Sequence, residues 1–532
     1  MPPDERNDGK KMTRRWGPRL LLSLLALLAA CAGLPAYLPA PPEHAFTDVS
    51  DTRLGRICAA SLSSVPPALS GFRMLPEGNT AFNARVALAK RAERSLDVQY
   101  YLIAHDDLGL QFLRELRDAA ARGVRVRLLL DDLYTSGEDG LLSGLAAYPN
   151  VEVRLFNPLP VRAGSFRQRL LFSMLDFGRI NHRMHNKLFI ADDSFAVSGG
   201  RNIGEEYFMG SLTANFIDLD VLSSGPVVNE LSTVFDTYWN SKHVMPIGRL
   251  VEQGSAAEAR RRFDDLVRDT APEVPERARD VLGTTPVAQQ LDSGELTQAF
   301  ASARVFADTP AKAAGADRGA AGPTVTDQTL ALFATARAEV AIASPYFIPG
   351  EAGMAIIRAV GATQENGRLT LLTNSLGSTD EALAYAGYAR YRLELLKAGV
   401  RIYELGGVLS RSSLRLGDFS KSLSRLHAKV ATIDRRTVFI GSMNLDPRSS
   451  RLNTEIGLAI DSSELAQTVA GLSQAVLSGA FRLQLAADGE HIEWLQTDTQ
   501  GRQIVLTREP DDNWWLRLKM WLLTPFVAEG LL

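Results

Sequence analysis

Apolar positions along this chain follow two alternating periods. Ser95-Leu96-Asp97-Val98-Gln99-Tyr100-Tyr101-Leu102-Ile103 is β-prone and apolar over a strand-like length, which predicts a buried strand. From Leu108 to Arg122 apolar residues recur at helical spacing, Gly123 supplies a stop, and Val124 to Leu130 makes a second strand ending at Asp131-Asp132. Strand, helix, strand reads as a βαβ unit. The same order returns in Val340 to Phe347, a helix near Ala352 to Val360, and Leu369 to Thr373. Further on, Ala146 to Phe156 parallels Leu396 to Leu405. The two series are about 240 residues out of phase, which predicts two related α/β domains and excludes a solenoid with its much shorter periods.

Between the series, Gly254 to Gly322 is rich in Ala, Arg, Asp and Pro, and Ala314 to Gly322 predicts a loop or linker. The expected division is an N-terminal signal over 1–31, an extension over 32–74, a first domain over 75–253, a linker or insert over 254–325, a second domain over 326–485, and a C-terminal extension over 486–532.

The length of 532 residues, with 45% hydrophobic and 22% charged, is too much for one core. The 58 Lys+Arg against 61 Asp+Glu argue against broad capture of nucleic acid, though a local basic cleft is allowed. Two cysteines, Cys31 and Cys58, exclude a disulfide-stapled scaffold and a four-cysteine zinc site. Lys10, Lys11, Arg14, Arg15 and Arg19 precede the short apolar run Leu20 to Ala30, the pattern of a secretory signal. Leu28-Ala29-Ala30-Cys31 resembles the lipobox of bacterial lipoproteins, which implies lipidation at Cys31; the alternative is an uncleaved signal anchor. Either way the expectation is a membrane tether in the bacterial envelope, with the chain on the extracytoplasmic side. Asn513 to Leu523 sets three of the six tryptophans beside Arg517 and Lys519, which suits either a segment in the lipid headgroup region or a helix docked on the core.

The chemistry sits in two short stretches, His185-Asn186-Lys187-Leu188-Phe189-Ile190-Ala191-Asp192 and His427-Ala428-Lys429-Val430-Ala431-Thr432-Ile433-Asp434. Both read H-x-K-x4-D, and both are followed at the same offset by an asparagine turn, Gly199-Gly200-Arg201-Asn202 and Gly441-Ser442-Met443-Asn444. With only ten lysines and seven histidines in the chain, the double match is not a coincidence of composition. On extended chain, i and i+2 share a face, so His185 points with Lys187 and His427 with Lys429. Two imidazoles and two ammonium groups in one cleft suit a phosphate ester: lysine and asparagine hold oxygens, and histidine acts as nucleophile or acid/base. Nothing resembles a metal-binding signature, so neither metal nor cofactor is called for.

The paired motifs, the Gly-Ser-x-Asn turn and the βαβ duplication resemble the phospholipase D superfamily. Within it, Gly199 to Gly204, Asp218-Leu219-Asp220, Tyr238 to Ser241 and Asn444 to Ser449 are similar to bacterial cardiolipin synthases of the C type. The resemblance implies duplicated α/β/α sandwiches sharing one active site at a pseudo-two-fold interface. It also implies a phosphatidyl-histidine intermediate, with His185 as nucleophile and His427 as the acid and then the base. By the same resemblance, Lys187, Lys429, Asn202, Asn444 and Ser442 hold phosphate oxygens, and Asp192 and Asp434 complete the motifs, bracing the cleft from its edge.

A histidine needs a partner on its other ring nitrogen. Glu455 is the candidate in the second half and Asp218 or Asp220 in the first; which acid serves which histidine stays open. His182 reads as a rim residue, Arg201 as a substrate contact or a turn cap, His105 as structural and Cys58 as a packed thiol. The implied reaction moves a phosphatidyl group, with phosphatidylethanolamine a candidate donor, to phosphatidylglycerol at a membrane surface and gives cardiolipin. Hydrolysis by water is the alternative, and a nuclease is disfavoured by the signal and the acidic balance.

Overall fold

The computed structural model describes residues 34–162, 164–173, 176–252, 254–268, 274–315, 322–362, 369–407, 422–497 and 501–510. The expected signal with Cys31 and the tryptophan-rich stretch lie outside these. Among the described residues no helix is long and apolar enough to cross a membrane.

The first half lays down β1 (Ser70–Leu75), β2 (Ser95–Tyr100), β3 (Arg125–Asp131), β4 (Val151–Phe156), β5 (Leu188–Ala191), β6 (Phe195–Gly199), β7 (Ala214–Ile217), β8 (Asp220–Ser224) and β9 (Val244–Pro246). The second half follows with β10 (Ala299–Ala307), β11 (Val340–Ala343), β12 (Leu369–Asn374), β13 (Arg401–Leu405), β14 (Leu423–Leu426), β15 (Val430–Ile433), β16 (Thr437–Gly441), β17 (Ile456–Asp461), β18 (Phe481–Leu485), β19 (Ile492–Thr497) and β20 (Gln503–Leu506). β2, β3 and β4 are parallel neighbours, as are β11, β12 and β13, with helices in the crossovers. Strands covered on both faces are buried throughout, and β2 and β12 are buried along nearly their whole length, with Asp97 of β2 paired to Arg127. The helix Asp107–Ala121 starts where the Asp106 side chain accepts the Gly109 N–H, and it buries Leu108, Phe112, Leu113 and Leu116 against the sheet.

The predicted strands overrun the observed ones. β2 ends at Tyr100, not Ile103, because the chain turns there so that Ile103 can bridge Ile203; β11 ends at Ala343 and Phe347 bridges Leu445 in the same way. Pro345, which has no N–H to give to a ladder, sits at the second departure. Both detours carry the chain toward the asparagine turns.

Residues 254–325, expected as a linker or insert, carry the helices Ala256–Val267 and Val287–Ser293 and β10. β10 pairs antiparallel with β1 on one side and with β17 on the other, so the two half-sheets are hydrogen-bonded into one sheet of eighteen strands. The segment is the seam between the halves.

Each half closes its motif hairpin identically. Asp192 stands at φ 48° between β5 and β6, and its carboxylate accepts the backbone N–H groups of Glu93, Arg94 and Ser95 at 2.9, 2.8 and 2.9 Å. Asp434, at φ 52° between β15 and β16, accepts those of Arg337, Ala338 and Glu339 at 2.9, 2.6 and 2.9 Å. Removing such an acceptor strands several donors, at about 2–4 kcal/mol where water cannot replace it. Asp192→Ala is therefore expected to lower the thermal unfolding midpoint by several degrees, and Asp434→Ala by less, because the Arg337 and Ala338 amides are exposed. Equal midpoints for both variants and the parent would refute this reading.

Candidate active site

His185-Asn186-Lys187 and His427-Ala428-Lys429 lie in extended chain just before β5 and β15, not inside the strands. Each is held by the opposite half. Met184 bridges Thr454 in parallel, the His185 N–H donates to the Thr454 carbonyl at 2.9 Å, and the Thr454 N–H donates to the Arg183 carbonyl at 2.9 Å. On the other side β14, which leads into His427, pairs in parallel with β7 at Leu426↔Ile217, and the His427 N–H donates to the Ile217 carbonyl at 2.8 Å. In both places the residue before a histidine faces the residue before an acid of the other half. That register settles the pairing left open by the sequence: His185 Nδ1 lies 2.9 Å from Glu455 Oε2, and His427 Nδ1 lies 2.6 Å from Asp218 Oδ2. The acids serve each other's histidines.

Asp220 is not an orienting acid. It is buried against Arg85 at 2.8 Å and Arg201 at 3.4 Å, as a structural ion pair. Two glycines make the difference between the neighbouring acids. A Cβ at Gly199 would come within 2.3 Å of Asp220 Oδ1, and one at Gly200 within 2.2 Å of Asp218 Oδ1. At the position equivalent to Gly200, Ser442 donates its hydroxyl to Glu455 Oε2 at 2.5 Å and accepts the Ile456 N–H at 3.0 Å. The expectation of Ser442 as a phosphate donor is thus corrected: its proton is committed to the carboxylate. Ser449 adds a bond to Glu455 Oε1 at 2.8 Å.

Asp192 and Asp434, expected as motif members at the cleft edge, accept the backbone amides of the hairpin ties. Lys187 Nζ donates to the His185 carbonyl at 2.8 Å and Lys429 Nζ to that of His427, which curls each ammonium back beside its own imidazole. Asn202 and Asn444 are buried with side-chain carbonyl oxygens that have no partner, while the Asn202 amide donates to Tyr207 Oη at 3.0 Å. Unpartnered buried polar groups of this kind are costly and mark where a ligand is received.

Arg201 caps the turn, donating to the carbonyls of Leu75, Pro76 and Asp218. His105 pairs with Glu138, His182 is half-buried, and Cys58 is a half-buried free thiol whose ionisation burial opposes. Sequence reasoning missed the aromatic collar. The Tyr101 ring stands edge-on 5.0 Å from His185, and Tyr207 and Phe216 lie 5.2 and 4.9 Å from His427. An aromatic at the end of an apolar run looks like core; only the proximity of Tyr207 to the Asn202 turn offered a signal.

Burial decides the charge states. It pulls His185 down to about 4, with Glu455 resisting and Lys187 and Lys429 assisting, and it lowers His427 with the help of Lys429. Burial also brings Lys187 to about 7 and Lys429 to about 8. For Asp218 and Glu455 burial acts upward, but the partner histidine and the nearby lysines outweigh it, and both carboxyls are held below their ordinary range. The resting site therefore has ionised carboxylates accepting from Nδ1–H of neutral imidazoles. Each Nε2 lone pair is left to meet an electrophile, between two ammonium groups matched to an anion. No group of three or more His, Cys, Asp or Glu placed to hold a metal occurs among the described residues. The arrangement can bind a phosphodiester and attack it at phosphorus.

A family profile described as cardiolipin synthase, phospholipase D-like domain, matches residues 86–239 and 329–474. Cardiolipin synthase C of Escherichia coli is 38% identical over 479 residues, covering 88% of this chain and 98% of that protein. Cardiolipin synthase A of Pseudomonas fluorescens is 28% identical, covering 78% and 72%. Among solved structures, phosphatidylserine synthase of Haemophilus influenzae superposes with a TM-score of 0.55 at 13% identity, over 89% of this chain and all of that one, a likeness of fold.

The cross-pairing makes a definite prediction. Glu455→Gln and Asp218→Asn keep size but lose the charge that holds an imidazole, and each is expected to lower phosphodiester turnover at least a hundredfold. Asp220→Asn should act on the thermal midpoint instead. Turnover in Glu455→Gln within a few fold of the parent would overturn the assignment.

Proposed function

The chain belongs to the phospholipase D-like cardiolipin synthase family and is a phosphatidyltransferase acting on phospholipids; from that premise we propose that it makes cardiolipin through a phosphatidyl-His185 intermediate. The observation that carries the proposal is the pair of reciprocal histidine–carboxylate bonds, which occupy both Nδ1 atoms and leave each Nε2 for the substrate.

The donor phosphate lies between Lys187 and Lys429, with Asn202 and Asn444 at its flanks. Its negative charge favours a proton on His427, which Asp218 also supports. His185 Nε2 attacks phosphorus, the P–O bond to the donor's headgroup breaks, and the leaving alkoxide takes the proton from His427. A hydroxyl of phosphatidylglycerol then gives its proton to neutral His427 and attacks the phosphorus, and the P–N bond breaks to free His185. One phosphodiester replaces another, so the exchange consumes no nucleotide. His185 suits the nucleophile because burial and two ammonium groups keep its lone pair free well below neutrality. In this reading phosphatidylglycerol is the acceptor and phosphatidylethanolamine the candidate donor, as the resemblance to C-type cardiolipin synthases implies.

Expression in a bacterial strain lacking cardiolipin is expected to restore the lipid with the parent chain and to fail with His185→Ala or His427→Ala. Phosphatidic acid in place of cardiolipin would show water as the acceptor and sink the proposal. The charge states also fix a pH profile. His185 must be unprotonated, so kcat/KM should rise with pH through about 4. His427 and then the lysines must keep their protons, so kcat/KM should fall as pH passes the lowered value of His427 and further near 7 and 8. A flat profile from pH 4 to 9 would contradict it.

A further inference from the structure

The two halves share a backbone plan but not a core. β2 meets β5 at Leu96↔Ala191 and β11 meets β15 at Val340↔Ile433, while Ile103 and Phe347 make the equivalent bridges. This register superposes Tyr100 on Ser344, Leu108 on Ala352, Phe112 on Ile356 and Phe189 on Ala431. In the first half Phe112 is 1% exposed, its ring 5.9 Å from Tyr100 and 6.0 Å from Phe189. Next to its helix Asp107–Ala121, around Ile103, Ala104 and Leu113, lies a pocket of only about 10 Å³.

The second half has lost three aromatic rings and a leucine from the same places. Under the corresponding helix, Gly350–Ala362, lies a cavity of about 590 Å³. Leu330, Phe333, Val340, Ile342, Ile357 and Leu369 form its apolar walls, and the exposed charges Asp327, Glu351 and Arg451 stand at its rim. Leu445 and Asp446, the next residues after Asn444, also line it, so the cavity begins where the phosphate site ends.

An apolar-walled space of this volume, open at its rim, falls in the range that small ligands fill. We propose that the cavity holds one acyl chain of the phospholipid whose phosphate sits between Lys187 and Lys429. The inference rests on the phosphatidyl-transfer reading above. The walls offer an alkyl chain burial without asking it for a hydrogen bond, while the glycerol and phosphate stay at Asn444. Half-to-half asymmetry follows as well: one half gives its interior to its own aromatic core, the other to the substrate.

The test rebuilds the first half's packing with Ala352→Leu/Ile356→Phe, or with Ile356→Phe alone should the double variant not fold. Turnover of dipalmitoyl and dihexanoyl phosphatidylethanolamine as donor is compared in mixed micelles holding a constant amount of one phosphatidylglycerol, together with the thermal midpoint. The long-to-short turnover ratio is expected to fall at least tenfold, as displacing even two methylenes requires, while the midpoint rises. An unchanged ratio with a raised midpoint would overturn the proposal, because the cavity would then be filled without hindering the substrate. If the parent chain turns over neither lipid, the phosphatidyl-transfer reading fails by itself, and the cavity is read by cis-parinaric acid fluorescence. Binding to the parent that is lost in the variant then supports an alkyl-chain site, and absence of binding refutes it.

Discussion

Two hydrogen bonds that cross between the halves govern this molecule: Glu455 to His185 and Asp218 to His427. Neither half contains a working histidine alone, because each lacks the carboxylate that fixes the imidazole tautomer. The same crossings anchor the backbone, since each motif's first N–H is received by a carbonyl of the other half. Docking of the halves and assembly of the site are therefore one event. That explains why the interface is a hydrogen-bonded sheet seam through β10, with no loose contact of two domains. A hinge opening there would separate both pairs at once.

Collecting two lysines, two histidines and several acids in the interior is expensive, and the surroundings show how the cost is contained. Glu455 accepts from Ser442, Ser449 and His185, and its own amide donates to Asp308, which is itself bonded to Lys312. Asp220 is neutralised by Arg85 and Arg201 two residues from Asp218, which keeps the second carboxylate out of the chemistry. Buried ion pairs are weak sources of stability but strict about geometry, and here they fix which acid faces which histidine. Within the cleft two kinds of group remain unsatisfied: ammonium groups held below their ordinary range and asparagine oxygens without partners. A bound phosphodiester relieves the first directly.

The duplication, the βαβ order and the two His-Lys pairs were legible in the chain because each rests on local periodicity or a short spacing. What could not be read there depends on distance. Asp218 and Asp220 are equivalent by strand alternation; Gly200 and Arg85, 18 and 135 residues from them, decide between the two. Ser442 looked like a phosphate donor because its hydroxyl sits in the motif turn, yet its partner Glu455 is brought in by β17. β10 was hidden in a stretch whose Ala, Arg and Pro content signals a linker, since its burial is only intermittent and its identity comes from two neighbours remote in sequence. The aromatic collar was invisible for the opposite reason: Tyr101 ends an apolar run and so looked like core.

A symmetric frame is in tension with an asymmetric reaction, in which one histidine bonds to phosphorus while the other moves a proton. The structure resolves it in side chains, not in the backbone. Both histidines receive a carboxylate at Nδ1 from the same register, but Glu455 is bonded by two hydroxyls while Asp218 faces Gly200, which has no side chain to offer. A carboxylate that already accepts two hydroxyl protons has less charge to spend on stabilising an imidazolium. Burial lowers both imidazoles, His185 to about 4, while Asp218, which accepts the Leu219 N–H at 2.7 Å, has no side-chain hydroxyl on it among the described residues. Ser442 against Gly200, at equivalent turns, is where the surroundings of the two carboxylates differ.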